Sequence, residues 1–519
     1  MIKGELSMGI KIALLIIFFG IMILVGLYSR KHATSVNDFV LGGRTVGPWL
    51  TAFAYGTSYF SSVVFIGYAG KFGWDFGLAS TWIGIGNAFI GSLLAWMVLG
   101  RRTRVMTNHL HATTMPEFFG KRYESKSIKI AASLIVFIFL IPYTASIYNG
   151  LSRLFGMAFD IPYEVCVIAM ATLTAIYVIL GGYMATAIND FIQGIIMLIG
   201  ICAVIAAVLS GKGGFMEAVR NLATFSSESS VTLGQQGAYT SFFGPDPVNL
   251  LSVMILTSLG TWGLPQMVHK FYTIKDEKSI KTGAIVSTIF ALIIAGGSYF
   301  LGGFARLFDG VAIKTIAADG TTSIAYDSII PHMLSNLPDL LVGITVVLVL
   351  SASMSTLSAL VLTSSSSLTL DLLKETLMKK MSAKKQLGIM RVLIAFFVAL
   401  SVILALDPPK FIAELMGISW SALAGSFLAP FLYGLYWKKV TKSAVWASFI
   451  VGVGVTVSNL FLGYISSSIV AGAITMVLSL IIVPIVSLLT PRLSKASVYD
   501  MFSCYHETVI VSVKDSLEE

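Results

Sequence analysis

TSLGTWGLPQ, residues 257–266, lies inside an otherwise apolar run, and how it is read decides the fold. Gly260, Gly263 and Pro265 interrupt a stretch long enough to cross a bilayer. Glycine weakens a helix and proline removes a backbone donor, so the chain can unwind there. A second interrupted run, AYGTSYFSS at 54–62, carries Gly56 and a row of hydroxyls. Irregular backbone at membrane depth survives only where it is buried in protein or lines a cavity, and its freed carbonyls can then hold a cation. Close helix packing through glycine is the competing reading of either run alone. Two interrupted runs at matching positions of two halves favour broken helices around a binding site.

The rest of the chain agrees with a membrane setting. Of 519 residues, 56% are hydrophobic and 12% charged, against roughly 25% charge in soluble domains. Runs of about 20 apolar residues recur throughout, each long enough to span a bilayer. A β-barrel would instead show alternating segments of about 10 residues. The expected class is therefore an all-α polytopic membrane protein. Spans are expected at 8–28, 48–71, 77–100, 130–157, 163–181, 185–209, 248–269, 282–306, 338–372, 389–406, 411–437, 443–463 and 466–490. The first has no small-residue cleavage site and is read as a helix, not a signal peptide. The interrupted runs are spans 2 and 7. With span 1 as an addition, 48–209 and 248–437 form two halves of five helices, and an odd number inverts the second half. Two further helices (443–490) and a tail (491–519) follow.

Charge gives the direction. The loops 29–47, 101–129, 270–281, 373–388 and 438–442, with the tail, hold 25 of the 35 basic residues. Positive loops stay in the cytoplasm. The N-terminus is then outside and the C-terminus inside, as thirteen crossings require. The net charge of +9 reports this topology and contact with anionic lipid rather than nucleic acid. Cys166 and Cys202 fall in apolar runs and Cys504 in the tail, with no metal or disulfide spacing. No HExxH or Walker motif is present, so neither an enzyme nor an ATP-driven pump is expected. No obligate protein partner is evident.

Span 9 contains SASMSTLSALVLTSSSS, residues 351–367. At helical spacing Ala352, Ser355, Thr356 and Ala359 share a face. Two hydroxyls and three backbone carbonyls would make a weak, neutral, five-oxygen cage for sodium. Hydroxyls that bond back to their own helix are the alternative. The second cluster, TSSSS at 363–367, reads equally as the lining of an exit or as a polar helix end. Asp190 lies about five residues into span 6. An intramembrane acid is a functional candidate by default, and here a guide for sodium toward the cytoplasm. An interfacial Asp capped by Thr186 or Asn189 is the bland alternative.

Four segments carry a resemblance. They are DFVLGGRTVGPWLTAFA at 38–54, YVILGGYMATAINDFIQG at 177–194, SMSTLSALVLTSSS at 353–366 and DPPKFIAELMGISWSALAGSFLAPFLYGLYW at 407–437. Together they resemble the sodium:solute symporters, the group of the bacterial sodium/proline and sodium/pantothenate symporters and the sodium/glucose cotransporters. The resemblance implies a LeuT-like 5+5 inverted repeat in a cell membrane. It implies one sodium ion, Na+, as coupling ion, held by the carbonyls of Thr57, Phe60 and Ala352 and the hydroxyls of Ser355 and Thr356. It implies a substrate beside the breaks, among Tyr55, Ser58, Tyr59, Ser61, Ser62, Tyr143, Ser146, Thr257, Thr261, Trp262, Gln266 and Trp420. The expected activity is sodium-coupled import of a small organic solute, an amino acid such as proline or a carboxylate such as pantothenate or a monocarboxylate. A proton-coupled transporter, a non-transporting sensor and an ion channel are the rivals. Two departures weigh against strict proline specificity: Tyr59 stands where the proline branch has an acid, and Val63 near its tryptophan. IPYE at 161–164 and the stretch 263–283 look nearer the pantothenate branch. No buried Lys or Arg is expected to meet an anion.

Overall fold

The computed structural model describes residues 2–29, 35–159, 161–311, 314–316, 322–335, 337–378, 380–407, 412–465 and 467–506. The basic flank at 30–32, residues 408–411 of the fourth resemblance segment and the tail beyond 506 lie outside the described residues.

Among the described residues, eleven helical stretches are long and apolar enough to cross a membrane. Two of them are too long for one crossing. Val63–His109 has 47 residues and Tyr163–Ser210 has 48, or roughly 70 Å each at 1.5 Å per residue, against a hydrocarbon core of about 30 Å. Each is turned at one glycine in a conformation closed to other residues: Gly77 at φ 60°, ψ −139° and Gly182 at φ 57°, ψ −151°. A Cβ on Gly77 would sit 2.2 Å from the Tyr239 carbonyl oxygen, and one on Gly182 2.7 Å from the Phe39 ring. With two passes in each stretch, the thirteen expected spans are all present. A short antiparallel pair, Lys314–Ile316 with Thr322–Ile324, sits in the loop before span 9.

Burial ranks the spans. The apolar windows of span 11 (Ile412–Tyr436) and span 9 (Asp339–Thr376) are 89% and 78% buried, so these form the centre. Span 1 (Lys11–Ser29) and span 12 (Lys442–Leu462) are only 22% and 28% buried and line the edge, as additions to a core should.

Both interrupted runs are broken. Span 2 runs as Pro48–Thr57, loses helical order over 58–61, then continues from Val63. Span 7 runs as Pro247–Leu259, tightens through Gly260–Trp262, extends at Leu264 and restarts as Pro265–Tyr272. Pro265 opens the second half, where a missing N–H costs nothing, and holds Leu264 extended. Gly56 proves to be a packing residue: the helix continues through it, and a Cβ there would meet the Phe290 ring at 2.7 Å. Gly260 and Gly263 serve the same purpose, admitting the Trp420 ring and the backbone of Leu428.

The face that carries the basic loops is tied by Arg44. Its guanidinium donates to the carbonyls of Ala112 at 2.6 Å and Tyr272 at 3.1 Å, pinning the end of span 7. On the opposite face Arg306 lies between the Trp74 and Tyr239 rings, 4.1 Å from each, and donates to Glu228. Asp327 on that face accepts from the Ile412 N–H at 3.1 Å and so caps span 11.

Candidate functional site

The break in span 2 leaves the Thr57 and Phe60 carbonyls pointing at span 9. Ser355 and Thr356 stand opposite, one residue apart on the face shared with Ala352. Ser355 Oγ lies 3.1 Å from the Thr57 oxygen and 2.9 Å from that of Ala352. Thr356 Oγ1 lies 3.3, 3.2 and 3.1 Å from the oxygens of Thr57, Phe60 and Ala352. The five expected oxygens thus meet at one point, and all five residues are buried. They carry no formal charge. A hydroxyl can turn its proton away and offer a lone pair, so this set suits a hard monovalent cation. The point borders a small cavity walled by Phe60, Ser61, Met197, Ser298 and Ala352.

Two side chains missed in the sequence brace the arrangement. Ser353 Oγ accepts from the Ser62 N–H at 3.2 Å, fixing the restart of span 2. Tyr177 donates to the Met354 carbonyl at 2.6 Å and holds span 9 against span 5. Neither stands out by residue type, because each acts through a backbone group.

The twelve substrate candidates divide. Tyr59, Tyr143 and Trp420 come together: the Trp420 ring is 5.8 Å from Tyr59 and 5.9 Å from Tyr143. Tyr59 also donates across the site to the Thr257 carbonyl. Trp420 Nε1 in this corner, Ser58 Oγ in the break of span 2 and both ends of the Gln266 amide in the second half of span 7 are buried without a hydrogen-bond partner among the described residues. Buried polar groups rarely stay unpaired, so these are the donors and acceptors left for a solute or water. The others are engaged. Tyr55 donates to Gly91 O at 2.7 Å, Thr261 to the same oxygen at 3.1 Å and Trp262 to Ile90 O at 3.0 Å. Thr257 and Ser146 bond back to Val253 and Tyr143 of their own helices. Ser62 reaches Ile147 O at 2.9 Å, and Ser61 Oγ accepts from the Val63 N–H while facing the cavity.

Asp190 is fully buried, not interfacial, and its partner is neither Thr186 nor Asn189. Lys270 Nζ lies 3.6 Å from Asp190 Oδ2, with the two side chains 2% and 1% exposed. The expectation of no buried Lys or Arg is corrected here. Hydropathy ends span 7 at 269, whereas the helix continues to Tyr272 and carries Lys270 inside. Asp190 is one turn before Gly194, whose Cβ position lies 3.1 Å from the Thr57 side chain. The acid is therefore about one turn from the five-oxygen point, toward the basic face. The serines at 364–367 are buried against span 4. Ser133 donates to Ser367 O at 2.9 Å, and Ser365 and Ser366 bond back to Leu362 and Thr363.

Comparison with known proteins agrees with this geometry. The model of the sodium:solute symporter family matches residues 39–452. The chain is 30% identical over 494 residues to the osmoregulated proline transporter OpuE of Bacillus subtilis (strain 168), covering 94% of this chain and 96% of the relative. It is 28% identical over 436 residues to the sodium/proline symporter of Salmonella typhimurium (strain LT2), covering 83% and 84%. Among solved structures, a substrate-bound, outward-open Na+-coupled sialic acid symporter superposes with a TM-score of 0.71 at 18% identity, covering 94% and 99%. Mhp1, a nucleobase-cation-symport-1 family transporter, superposes with a TM-score of 0.50 at 12% identity, covering 89% and 98%. At these identities the structural matches bear on the fold, which is the LeuT-like arrangement.

Proposed function

This chain belongs to the sodium:solute symporter family, and from that premise we propose that it imports a compact amino acid of the proline type together with sodium. It is a multi-pass membrane protein and a transporter, with sodium as the coupling ion. One observation carries the finer reading: five neutral oxygens from two spans meet where span 2 is unwound, beside an aromatic corner with unpaired donors.

In this reading Thr57, Phe60, Ala352, Ser355 and Thr356 hold the ion. Tyr59, Tyr143 and Trp420 enclose the solute, and Ser58, Gln266 and the Trp420 indole N–H meet its polar groups. A small ring fits between aromatic faces, and a zwitterion needs no buried cation to neutralise it. The proline transporters among the relatives support this class over the larger pantothenate. The residues of 48–209 and 248–437 act as the two inverted halves. The basic face is cytoplasmic, with the N-terminus outside and the protein in the cell membrane.

Sodium enters from outside and bridges span 2 to span 9, which stabilises the outward-open form. The solute then binds, the halves rock, and sodium leaves past Asp190 before the solute follows. At −100 mV one charge moved inward adds ~2.3 kcal/mol to accumulation, about 50-fold, before the sodium gradient is counted. The test is uptake into proteoliposomes of labelled proline, pantothenate, pyruvate and acetate, with an inward sodium gradient and with a matched potassium gradient at equal pH. Sodium-dependent accumulation of proline is expected. Equal uptake under both gradients would assign the oxygen cage to helix packing, and accumulation of another acid would change the solute.

A further inference from the structure

The Asp190–Lys270 pair joins span 6 to the inner half of span 7, next to the contacts of Tyr183 with His269 and Thr273. Asp190 projects from span 6, one turn from the cage. Lys270 projects from the second half of the broken span 7, on the same side of the cage. Both charges are almost wholly removed from solvent and stand 3.6 Å apart. Neither carboxylate oxygen has a close hydrogen-bond partner among the described residues. Buried carboxylates are normally saturated by several donors. This one is neutralised by charge alone, at a distance longer than a good hydrogen bond. In the same position the Lys270 ammonium also borders the Tyr183 ring, 5.1 Å from its centre, and the Tyr183 hydroxyl is tied to Thr273 at 3.1 Å. Around the pair, Asn189 of span 6 and Gln266 and His269 of span 7 bury polar atoms with no partner among the described residues. The surroundings are thus polar and unsaturated on both walls.

We propose that Lys270 is a positioning residue that serves as the resident counter-cation of Asp190 and that sodium on its way to the cytoplasm displaces it. The inference rests on the sodium pathway proposed above. With no sodium below the cage, the ammonium holds Asp190 and draws the inner half of span 7 against span 6, which closes the passage. When sodium leaves the cage, it takes over Asp190, and Lys270 draws back from the acid onto the Tyr183 ring that it already borders. The two walls are then free to part. When sodium moves on, Lys270 returns, so Asp190 cannot recapture sodium from the cytoplasm. The ammonium thereby turns a carboxylate that would bind sodium tightly into one that only passes it on.

The test uses the full-length protein in proteoliposomes. Uptake of the solute that the panel identifies is measured at fixed external sodium while internal sodium is raised. Lys270→Met removes the ammonium that competes with sodium for Asp190, so the internal sodium that gives half-inhibition should fall by roughly tenfold or more. Lys270→Arg should keep the wild-type response to within about threefold, because the charge is retained. Asp190→Asn/Lys270→Met removes both buried charges, a change that proteins often tolerate where loss of one partner is severe. It gives a second reading if the single variant fails to insert, and its response to internal sodium should be weaker than the wild type's. A Lys270→Met protein with the wild-type internal response, or a double variant as sensitive as the wild type, would overturn the role of Lys270 while leaving sodium coupling intact. A wild type indifferent to sodium on both sides would overturn the coupling reading and this inference with it.

Discussion

Thr356→Ala is the sharpest test of the cage. Thr356 Oγ1 lies within 3.3 Å of three carbonyls at once, those of Thr57, Phe60 and Ala352. Without sodium it has a single proton and can satisfy one of them at a time. With sodium it supplies one of five oxygens. A polar contact to a charged group is worth ~1.5–3 kcal/mol and a neutral one ~1 kcal/mol. The variant loses both, the first from the sodium-bound form and the second from the empty one. The difference is ~0.5–2 kcal/mol, or about a 2–30-fold rise in half-saturating sodium. Thr356→Ser keeps the oxygen and should stay within about threefold of the wild type. Two assays separate binding from turnover. One is uptake against external sodium at a clamped potential. The other is the sodium-dependent rise in melting temperature without solute, which follows site occupancy alone. A shift below about twofold in both, in a well-inserted protein, refutes the assignment and leaves Thr356 as a helix-packing hydroxyl.

Three further outcomes follow from the same geometry. Trp420→Phe keeps a ring beside Tyr59 and Tyr143 but removes the unpartnered indole N–H; the solute KM should rise by roughly 10–150-fold, as one hydrogen bond to a charged group predicts, with half-saturating sodium moving less than the KM. Gly73→Ala would put a Cβ 2.1 Å from the Gly302 carbonyl carbon, so spans 2 and 8 must separate, and the detergent-solubilised protein should melt lower by an amount matching ~1–3 kcal/mol of overpacking. Asp327 lies outside the spans, and burial, partly offset by the Ile412 N–H and Arg153, raises its carboxyl to about 6. A raised acid binds its proton more tightly folded than unfolded, so the stability it contributes is complete below its unfolded value and is lost as pH rises through about 6. Asp327→Asn keeps the cap acceptor, and its melting temperature should vary less than the wild type's between pH 4 and 7; parallel curves for the two proteins would count against the assignment.

How much of this was legible depended on whether the cause was local. The meeting of these oxygens on span 9 was readable because Ser355 and Thr356 share a helical face with Ala352, and helical spacing is a property of sequence alone. The two breaks were readable for a related reason, although the glycines named as hinges are mostly contact points and the unwinding falls beside them. The substrate candidates were less readable because their partners are backbone atoms elsewhere. Tyr55, Thr261 and Trp262 are drawn to the oxygens of Ile90 and Gly91. Those oxygens lie in a widened helical turn, Asn87–Leu94 of span 3. A turn of that kind leaves carbonyls without their usual partners, and nothing in the hydropathy of 87–94 marks it. Lys270 was hidden differently. As the first charge after an apolar run it looks like the start of a loop, and only the position of Asp190 across the chain makes it a buried partner. An acid within a span should have prompted a search for a base at the nearest span end.

The order of charges along the pathway explains why the cage is neutral. A carboxylate among the five oxygens would bind sodium far more strongly than an ion that must leave in every cycle allows. Here the nearest acid is displaced by about one turn toward the basic face and is already paired with Lys270. On the proposed pathway sodium meets a weak site first, where its binding joins spans 2 and 9, and a strong site second, where it must compete with an ammonium. Competition makes the second site strong only while Lys270 is elsewhere. The affinity of Asp190 for sodium is thus set by where span 7 stands, so the conformational change that opens the inner side also governs when the ion can leave.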